Sequence, residues 1–346
     1  MPDQPSRTPT EPPPDVGVGA STAARAAPSI IRSSVSVREV RRGELDRYLE
    51  LVATTAGEFD RRVGLLDTSD RQLRSLSSVG FWLVLRTLRL IGRSPVRMLV
   101  ADDDGALVGT TMVIVLGPWA YVAAVGVRDD HRRRGIAQEL VRRAEEIGLR
   151  SRRRRMVLEA DSENRPAVNL YHRLGWEPRC AVEWWQLPSS DDGRPAPSTR
   201  SASIRERRFA HAAAVRTLGT EFPSSYIHPC ELACRGAFGR PATLASGPVG
   251  EPSLVVRCAA RPGGGTGYLL PVATGDGRGP DEAQALEAGR LRLLRQGTTA
   301  VFVPVLGGES PLGPILTSLG GERRARSEVW CKDLPFERSR GARRGA

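Results

Sequence analysis

The first half of the chain alternates between strand-like and helix-like hydrophobic patterns. Apolar and polar residues alternate in VSVREV (35–40), whereas ELDRYLELVATTA (44–56) carries apolar residues at helical spacing. A second helical pattern covers about 70–92. Strand-like runs follow at 96–102, 106–117 and 120–127, and the turn DDDG joins the first two of them. These patterns predict an α/β arrangement.

The region after 127 returns to a helix. Ile136, Leu140, Ala144 and Ile147 recur at helical intervals and predict an amphipathic helix over 135–149. The pattern then predicts a strand at 155–160, a helix at 166–175 that ends at a glycine, and a strand at 181–187.

A Pro- and Ser-rich segment, 188–203, separates this region from one in which the pattern partly returns, so we interpret it as a linker. A shift of 145 positions, without a gap, aligns seven identical residues: Pro166, Leu174, Gly175, Glu177, Arg179, Glu183 and Trp185 fall on Pro311, Leu319, Gly320, Glu322, Arg324, Glu328 and Trp330. The strand RMVLEA also falls on the apolar run AVFVPV (300–305). We interpret this as an internal duplication, and a chance match between two unrelated α/β domains stays open as the alternative.

Composition narrows the functional classes. A chain of 346 residues with 40% hydrophobic residues suits two domains, here 35–187 and 204–336. The net charge of +12 invites a nucleic-acid interpretation, but the basic residues are scattered and only 5% of residues are aromatic, which argues against it. Five cysteines without a CxxC argue against a disulfide framework or a zinc site, so no metal is predicted.

The termini show no periodicity. Residues 1–34 are rich in Pro, Ser, Thr, Ala and Gly and predict a disordered tail, and 337–346 predict a basic one. The apolar stretch FWLVLRTLRLI (81–91) contains Arg86 and Arg89 and is too short to span a bilayer. Without an export or membrane signal, we expect a cytoplasmic protein, and the sequence carries no signal for an oligomeric state.

The stretch RDDHRRRGIA (128–137) lies between a predicted strand and a predicted helix. The first N–H groups of a helix lack internal partners, and the helix dipole favours negative charge there. Gly135 allows a close approach of the backbone to a ligand, and Arg132, Arg133 and Arg134 add positive charge. The loop suits a pyrophosphate, although a solvated basic turn has the same spacing.

Two motifs at the right separation resemble the GNAT (GCN5-related N-acetyltransferase) family. Arg132-x-x-Gly135-x-Ala137 after a strand matches the family's (Q/R)-x-x-G-x-(G/A) pattern. In LEADSENRPAVNLYHRLGW (158–176), Asn164 is followed seven residues later by Tyr171 and then by Leu-Gly-aromatic, as in the family's second motif. The resemblance covers about 35–187 and implies a mixed central sheet flanked by helices, here in tandem.

The resemblance also implies a site for acetyl-CoA, a co-substrate, or another acyl-CoA. The loop amides that cradle the pyrophosphate correspond to residues 132–137, which are Arg132, Arg133, Arg134, Gly135, Ile136 and Ala137. The strand backbone that pairs with the pantetheine arm corresponds to Val125, Gly126 and Val127, and the cofactor-contacting Asn to Asn164.

Acyl transfer to an amine makes further chemical demands. The protonated amine must lose a proton to a base, and the developing oxyanion needs fixed donors. Tyr171 matches the tyrosine that protonates the leaving thiolate in many members of the family, although a core tyrosine is the alternative. For the base we favour Glu159, with Asp161 and Glu163 as neighbouring rivals and a solvent-facing strand carboxylate as the alternative.

The second half is expected to have lost the site. The same shift sets GRGPDE (277–282) against 132–137, so that Asp281 and Glu282 would repel phosphate. Leu316 stands opposite Tyr171, and Pro271 stands opposite Gly126. Together with this difference between the halves, the resemblance implies an N-acetyltransferase with one competent half, acting on a primary amine by direct transfer in a ternary complex. A non-catalytic acyl-CoA-binding regulator is the alternative.

Overall fold

The structure is a computed structural model that describes residues 35–65, 96–116, 119–189, 205–206, 242–246, 254–260, 265–274, 280–307 and 311–335. The predicted helix at about 70–92, including the apolar stretch 81–91, lies outside the described residues. So do most of the predicted linker and both predicted tails.

The first half contains the predicted elements, with small changes at their ends. Its strands are β1 (Val35–Glu39), β2 (Val96–Asp103), β3 (Ala106–Leu116), β4 (Trp119–Val127), β5 (Arg155–Asp161) and β6 (Glu177–Leu187). Its helices are α1 (Leu45–Thr55), α2 (Glu58–Arg62), α3 (Ile136–Arg150) and α4 (Arg165–Arg173). The short helix α2 was not predicted, and β6 begins four residues earlier than the pattern indicated.

The second half repeats the order strand, helix, strand, helix, strand in its last five elements. Its strands are β7 (Arg205–Glu206), β8 (Ala242–Ser246), β9 (Leu254–Ala260), β10 (Gly265–Thr274), β11 (Thr298–Leu306) and β12 (Glu322–Asp333). Its helices are α5 (Pro280–Arg295) and α6 (Leu312–Ser318).

All twelve strands form one mixed sheet in the order β1-β2-β3-β4-β5-β12-β6-β11-β10-β9-β8-β7. The pairs β4–β5 and β10–β11 are parallel, and the other neighbouring strands are antiparallel. The fold is therefore α/β with a mixed sheet flanked by helices, as predicted.

The two halves exchange their last strands at the centre of the sheet. Strand β12 lies between β5 and β6, and β6 lies between β12 and β11. Trp330 of β12 is fully buried in the core of the first half, and Trp185 of β6 packs against the core of the second. The repeat aligns these two tryptophans, so each half supplies one indole to the other.

The register of β10 corrects one detail of the gap-free alignment. Tyr121 of β4 is paired with Val157, and Tyr268 of β10 is paired with Phe302. Phe302 lies 145 positions after Val157, whereas Tyr268 lies 147 positions after Tyr121. The prediction that Pro271 stands opposite Gly126 is therefore wrong, because two additional positions precede this part of β10.

The helices of the first half cover both faces of its sheet. Successive strand residues point to opposite faces, so Val100 of β2 packs with α1, whereas Leu99 packs with α3. The side chains of α4, including Tyr171, lie on the α3 face, and Phe59 of α2 packs on the opposite face with Val157. A site between β4 and β5 thus has helices on either side of it.

Candidate functional site

The loop between β4 and α3 ends in two left-handed backbone positions. Arg133 has φ +61° and Gly135, the N-cap of α3, has φ +79°. A Cβ atom at Gly135 would meet nothing within 4 Å, so open space adjoins this backbone. Among the described residues, no carbonyl or side chain accepts a hydrogen bond from the N–H groups of residues 133–138. These donors and the helix dipole form a site suited to an anion.

The three arginines of this loop are exposed, and two of them stabilise the loop itself. The Arg132 guanidinium lies 2.6 Å from the Asp129 carboxylate and donates to the carbonyl of Val127 at 3.3 Å. Arg134 donates to the carbonyl of Asp130 at 3.3 Å. The arginines therefore supply positive charge around donors that belong to the backbone.

His131 is a structural member of the same loop. Its Nδ1 lies 2.7 Å from Asp130 and its Nε2 lies 3.4 Å from Asp103 of β2. Both ring nitrogens are thus engaged by carboxylates.

Strands β4 and β5 part next to this loop. Their parallel pairing runs from Trp119 opposite Arg155 to Val122 opposite Leu158 and stops there. Beyond Val122, β4 stays paired to β3 on its other side through a bulge at which Ala124 has φ +52°. Residues 123–127, which include the predicted Val125, Gly126 and Val127, therefore form a strand edge open toward β5.

Gly126 is required by the packing of α1. A Cβ atom there would lie 2.1 Å from Oγ1 of Thr55 and 2.6 Å from its Cβ. Thr55 is fixed in turn, because its hydroxyl donates to the carbonyl of Leu51 at 2.7 Å. The last turn of α1 thus rests directly on the open edge of β4.

Helix α4 carries the two residues of the second motif. Asn164 is the exposed N-cap, and its Oδ1 accepts from the N–H of Ala167 at 3.3 Å. Tyr171 is 5% exposed, and its ring packs against Trp176 and Trp330 with centroid distances of 6.3 and 6.1 Å. Burial, and secondarily the Asp60 carboxylate, raise the pKa of Tyr171, so its hydroxyl stays protonated at neutral pH.

Glu159 of β5 is a buried carboxylate with fixed donors. Its Oε1 accepts from the indole of Trp184 at 3.0 Å and from the hydroxyl of Ser327. Desolvation raises the pKa of Glu159 to about 7, while both hydrogen bonds act to lower it. The rivals differ: Asp161 accepts from the backbone of Glu163, and Glu163 is exposed.

Asp60 of α2 was not predicted from the sequence. Desolvation raises its pKa to about 6, and repulsion from Glu159 and Asp161 adds to the effect. Its carboxylate also interacts electrostatically with Tyr171. Asp60 therefore belongs to the same group of side chains as the predicted pair Glu159 and Tyr171, and no local pattern in the sequence marks it.

The second half holds the chain next to Asp60 in place. Tyr268 of β10 donates from its hydroxyl to the carbonyl of Gly64 at 2.8 Å, and Val63 is fully buried in the core that Tyr268 shares.

Trp184, which donates to Glu159, was also not predicted to belong to the site. A buried indole requires an acceptor for its N–H group, and this requirement is the sequence signal that could have pointed to Trp184.

Residues 68–176 match the model of the Acetyltransferase (GNAT) family. That segment contains the loop, the open edge of β4, Glu159, Asn164 and Tyr171. No curated protein sequence matches the chain.

Solved structures share the fold over most of the chain. A tandem GNAT protein from the clavulanic acid biosynthesis pathway aligns with a TM-score of 0.56 at 16% identity, over 88% of this chain and 100% of its own. A GCN5-related N-acetyltransferase from Sphaerobacter thermophilus gives 0.56 at 17% identity, over 87% and 96%. A putative acetyltransferase from Pyrococcus horikoshii gives 0.55 at 14%, over 88% and 91%. At these identities the likeness concerns the fold.

The part of the chain that the structure describes holds neither a membrane-spanning helix nor a cluster of metal ligands. None of the helices there combines the length and apolar character needed to cross a bilayer. Nor do three or more His, Cys, Asp or Glu side chains of those residues meet in a group that would hold a metal ion.

Proposed function

We propose that the chain is an N-acetyltransferase that moves an acetyl group from acetyl-CoA to a primary amine of a small molecule or protein. Transfer is direct, within a ternary complex. The observation that carries the proposal is the loop before α3, where a row of backbone donors without acceptors adjoins the open edge of β4.

The residues present fit an acyl-CoA. Residues 132–137 would hold its pyrophosphate through backbone N–H groups, with open space beside Gly135. The edge of β4 at Val125, Gly126 and Val127 offers backbone groups to a pantetheine arm, and Asn164 lies at the start of α4. When bound, acetyl-CoA supplies an activated acyl thioester.

The carboxylates near the divergence of β4 and β5 suit a cationic acceptor. Asp60 interacts electrostatically with both Glu159 and Asp161, in a chain whose net charge is +12. A base should have a pKa near the working pH, and the pKa of Glu159 is about 7. We therefore assign proton removal from the ammonium group to Glu159, directly or through water.

Tyr171 is suited to give a proton to the leaving thiolate. Its hydroxyl makes no hydrogen bond among the described residues, and burial keeps it protonated. Backbone N–H groups of the open β4 edge are fixed donors for negative charge that develops on an oxygen.

The segment at the corresponding place in the second half is shorter. Eight residues separate β4 from α3, but only five separate β10 from α5. Glu282 in the first turn of α5 is buried and opposes an anion, and Leu316 lies in the core where the repeat aligns it with Tyr171. We assign acyl-CoA binding to the first half alone.

The test is release of CoA thiol from acetyl-CoA in the presence of a panel of primary amines. We expect release that depends on an amine, with the acetylated amine identified by mass spectrometry. Binding of acetyl-CoA without turnover of any amine would instead support the regulatory alternative.

A further inference from the structure

Three side chains from three neighbouring strands meet at one carboxylate oxygen. The indole N–H of Trp184 on β6 lies 3.0 Å from Oε1 of Glu159 and 2.9 Å from Oγ of Ser327. The Ser327 hydroxyl donates to the same Oε1. Trp184 and Ser327 are fully buried, and Glu159 is half-buried.

The exchange of strands creates this meeting. Glu159 of β5 is paired with Val329 of β12, and Ser327 lies two positions away on the same face of the sheet. Glu159 and Ser327 are 168 residues apart in the chain. At the aligned position of the first half stands Val182, which has no hydroxyl. The donor therefore comes from the second half.

We propose that Ser327 is a positioning residue, supplied by the second half, that orients the Glu159 carboxylate and stabilises its ionised form for proton removal. This inference rests on the proposed function. It gives the second half a part in the chemistry even though that half has no acyl-CoA loop of its own.

Charge favours this role. Burial raises the pKa of Glu159, and the hydrogen bonds from Ser327 and Trp184 lower it. Removal of one of these hydrogen bonds therefore leaves more of the effect of burial in place. Without the hydroxyl, Glu159 would hold its proton to higher pH, and less of the base would be ionised near neutrality.

Other carboxylates lie near this site. Asp60 of α2 interacts electrostatically with both Glu159 and Asp161 of β5, and its pKa of about 6 is close to that of Glu159. The apolar cores around this site also contain phenols and thiols, namely Tyr121, Tyr171, Tyr268, Cys180 and Cys331, and Arg61 of α2 acts on Asp60. The test must separate Glu159 from Asp60.

The experiment follows the ionisation of Glu159 directly and through activity. Full-length protein labelled with carboxyl-¹³C glutamate is titrated by NMR, with the Glu159 signal assigned through Glu159→Gln. In parallel, kcat/KM for the amine is measured from pH 5 to 9. Both series use the wild type, Ser327→Ala and Ser327→Thr, and each serine variant is repeated with Asp60→Asn.

The matched control is Ser162→Ala. The Ser162 hydroxyl also bridges the halves, donating to the carbonyl of Arg326 at 2.9 Å, but it does not contact Glu159. We expect this variant to titrate as the wild type does.

We expect Ser327→Ala to raise the NMR midpoint of Glu159 and the acid limb of kcat/KM together, by about one to two pH units. The shift should persist when Ser327→Ala is combined with Asp60→Asn. In Ser327→Thr, which keeps a hydroxyl, the midpoint and the acid limb should return toward the wild-type values. An unchanged Glu159 midpoint in Ser327→Ala, or an equal loss of activity at every pH, would overturn the proposal. If no amine is acetylated by the wild type, the proposed function fails, while the NMR midpoints still decide whether Ser327 controls the ionisation of Glu159.

Discussion

At the scale of single residues, Tyr171 combines a buried ring with a hydroxyl that has no partner among the described residues. Trp176 and Trp330 fix the ring, and burial raises the pKa of the phenol. A ring held only for packing would not need the oxygen. A ring held to protonate a thiolate would need it in every turnover.

Tyr171→Phe separates these roles. We expect kcat to fall about 100-fold, because a positioned acid contributes about that much or more, while the Kd for acetyl-CoA stays the same. Tyr48→Phe is the control, since Tyr48 is also fully buried but donates to the carbonyl of Thr111 at 3.2 Å. An unchanged kcat in Tyr171→Phe, measured by thiol release, would assign Tyr171 to the core alone.

The predictability of individual residues follows from their sequence context. Tyr171 could be proposed from the sequence because it lies at a fixed distance from Asn164, within one helix motif. Asp60 was not found, since its high pKa arises from burial beneath elements far away in the chain. Ser327 was missed for the same reason, because only strand pairing brings it to Glu159.

At the scale of elements, the open edge of β4 depends on α1. The bulge at Ala124 and the approach of Thr55 to Gly126 together fix where this strand parts from β5. Parallel β10–β11 pairing and a break in the β9–β10 register recur in the second half, so the feature belongs to the repeated fold.

Gly126→Ala should destabilise the protein by about 1–3 kcal/mol, because its Cβ would overlap Thr55. Adding Thr55→Ala should not restore stability, since the Thr55 Cβ itself lies 2.6 Å from the new atom. Adding Thr55→Gly should remove the overlap, so that Gly126→Ala with Thr55→Gly loses less stability than the two single changes added together. Urea unfolding measures all of them, and a neutral Gly126→Ala would contradict the packing described here.

The sequence predicted most elements of the first half because each has its own hydrophobic period. It placed the start of β6 too late, since Glu177 to Arg179 are exposed and do not alternate. It did not predict α2, whose five residues are too few to show a helical period.

At the scale of the whole molecule, two repeated halves share one sheet but differ in their chemistry. Each half gives its last strand to the centre, yet only the first has the eight-residue loop ahead of its helix. The sequence predicted the repeat but not the exchange, because pairing between β5 and β12 leaves no local pattern. We therefore predict one acyl-CoA site per chain.

Calorimetric titration of acetyl-CoA into the wild type, Gly135→Asp and Gly297→Asp tests this most directly. Gly297, just after the C-terminal end of α5, is the matched control, with φ +83° and nothing within 4 Å of a Cβ. An aspartate there adds the same negative charge and the same backbone strain as an aspartate at Gly135. We predict one equivalent bound by the wild type and by Gly297→Asp, and no saturable binding by Gly135→Asp. Two equivalents, no binding by the wild type, or equal loss in both variants would contradict the account.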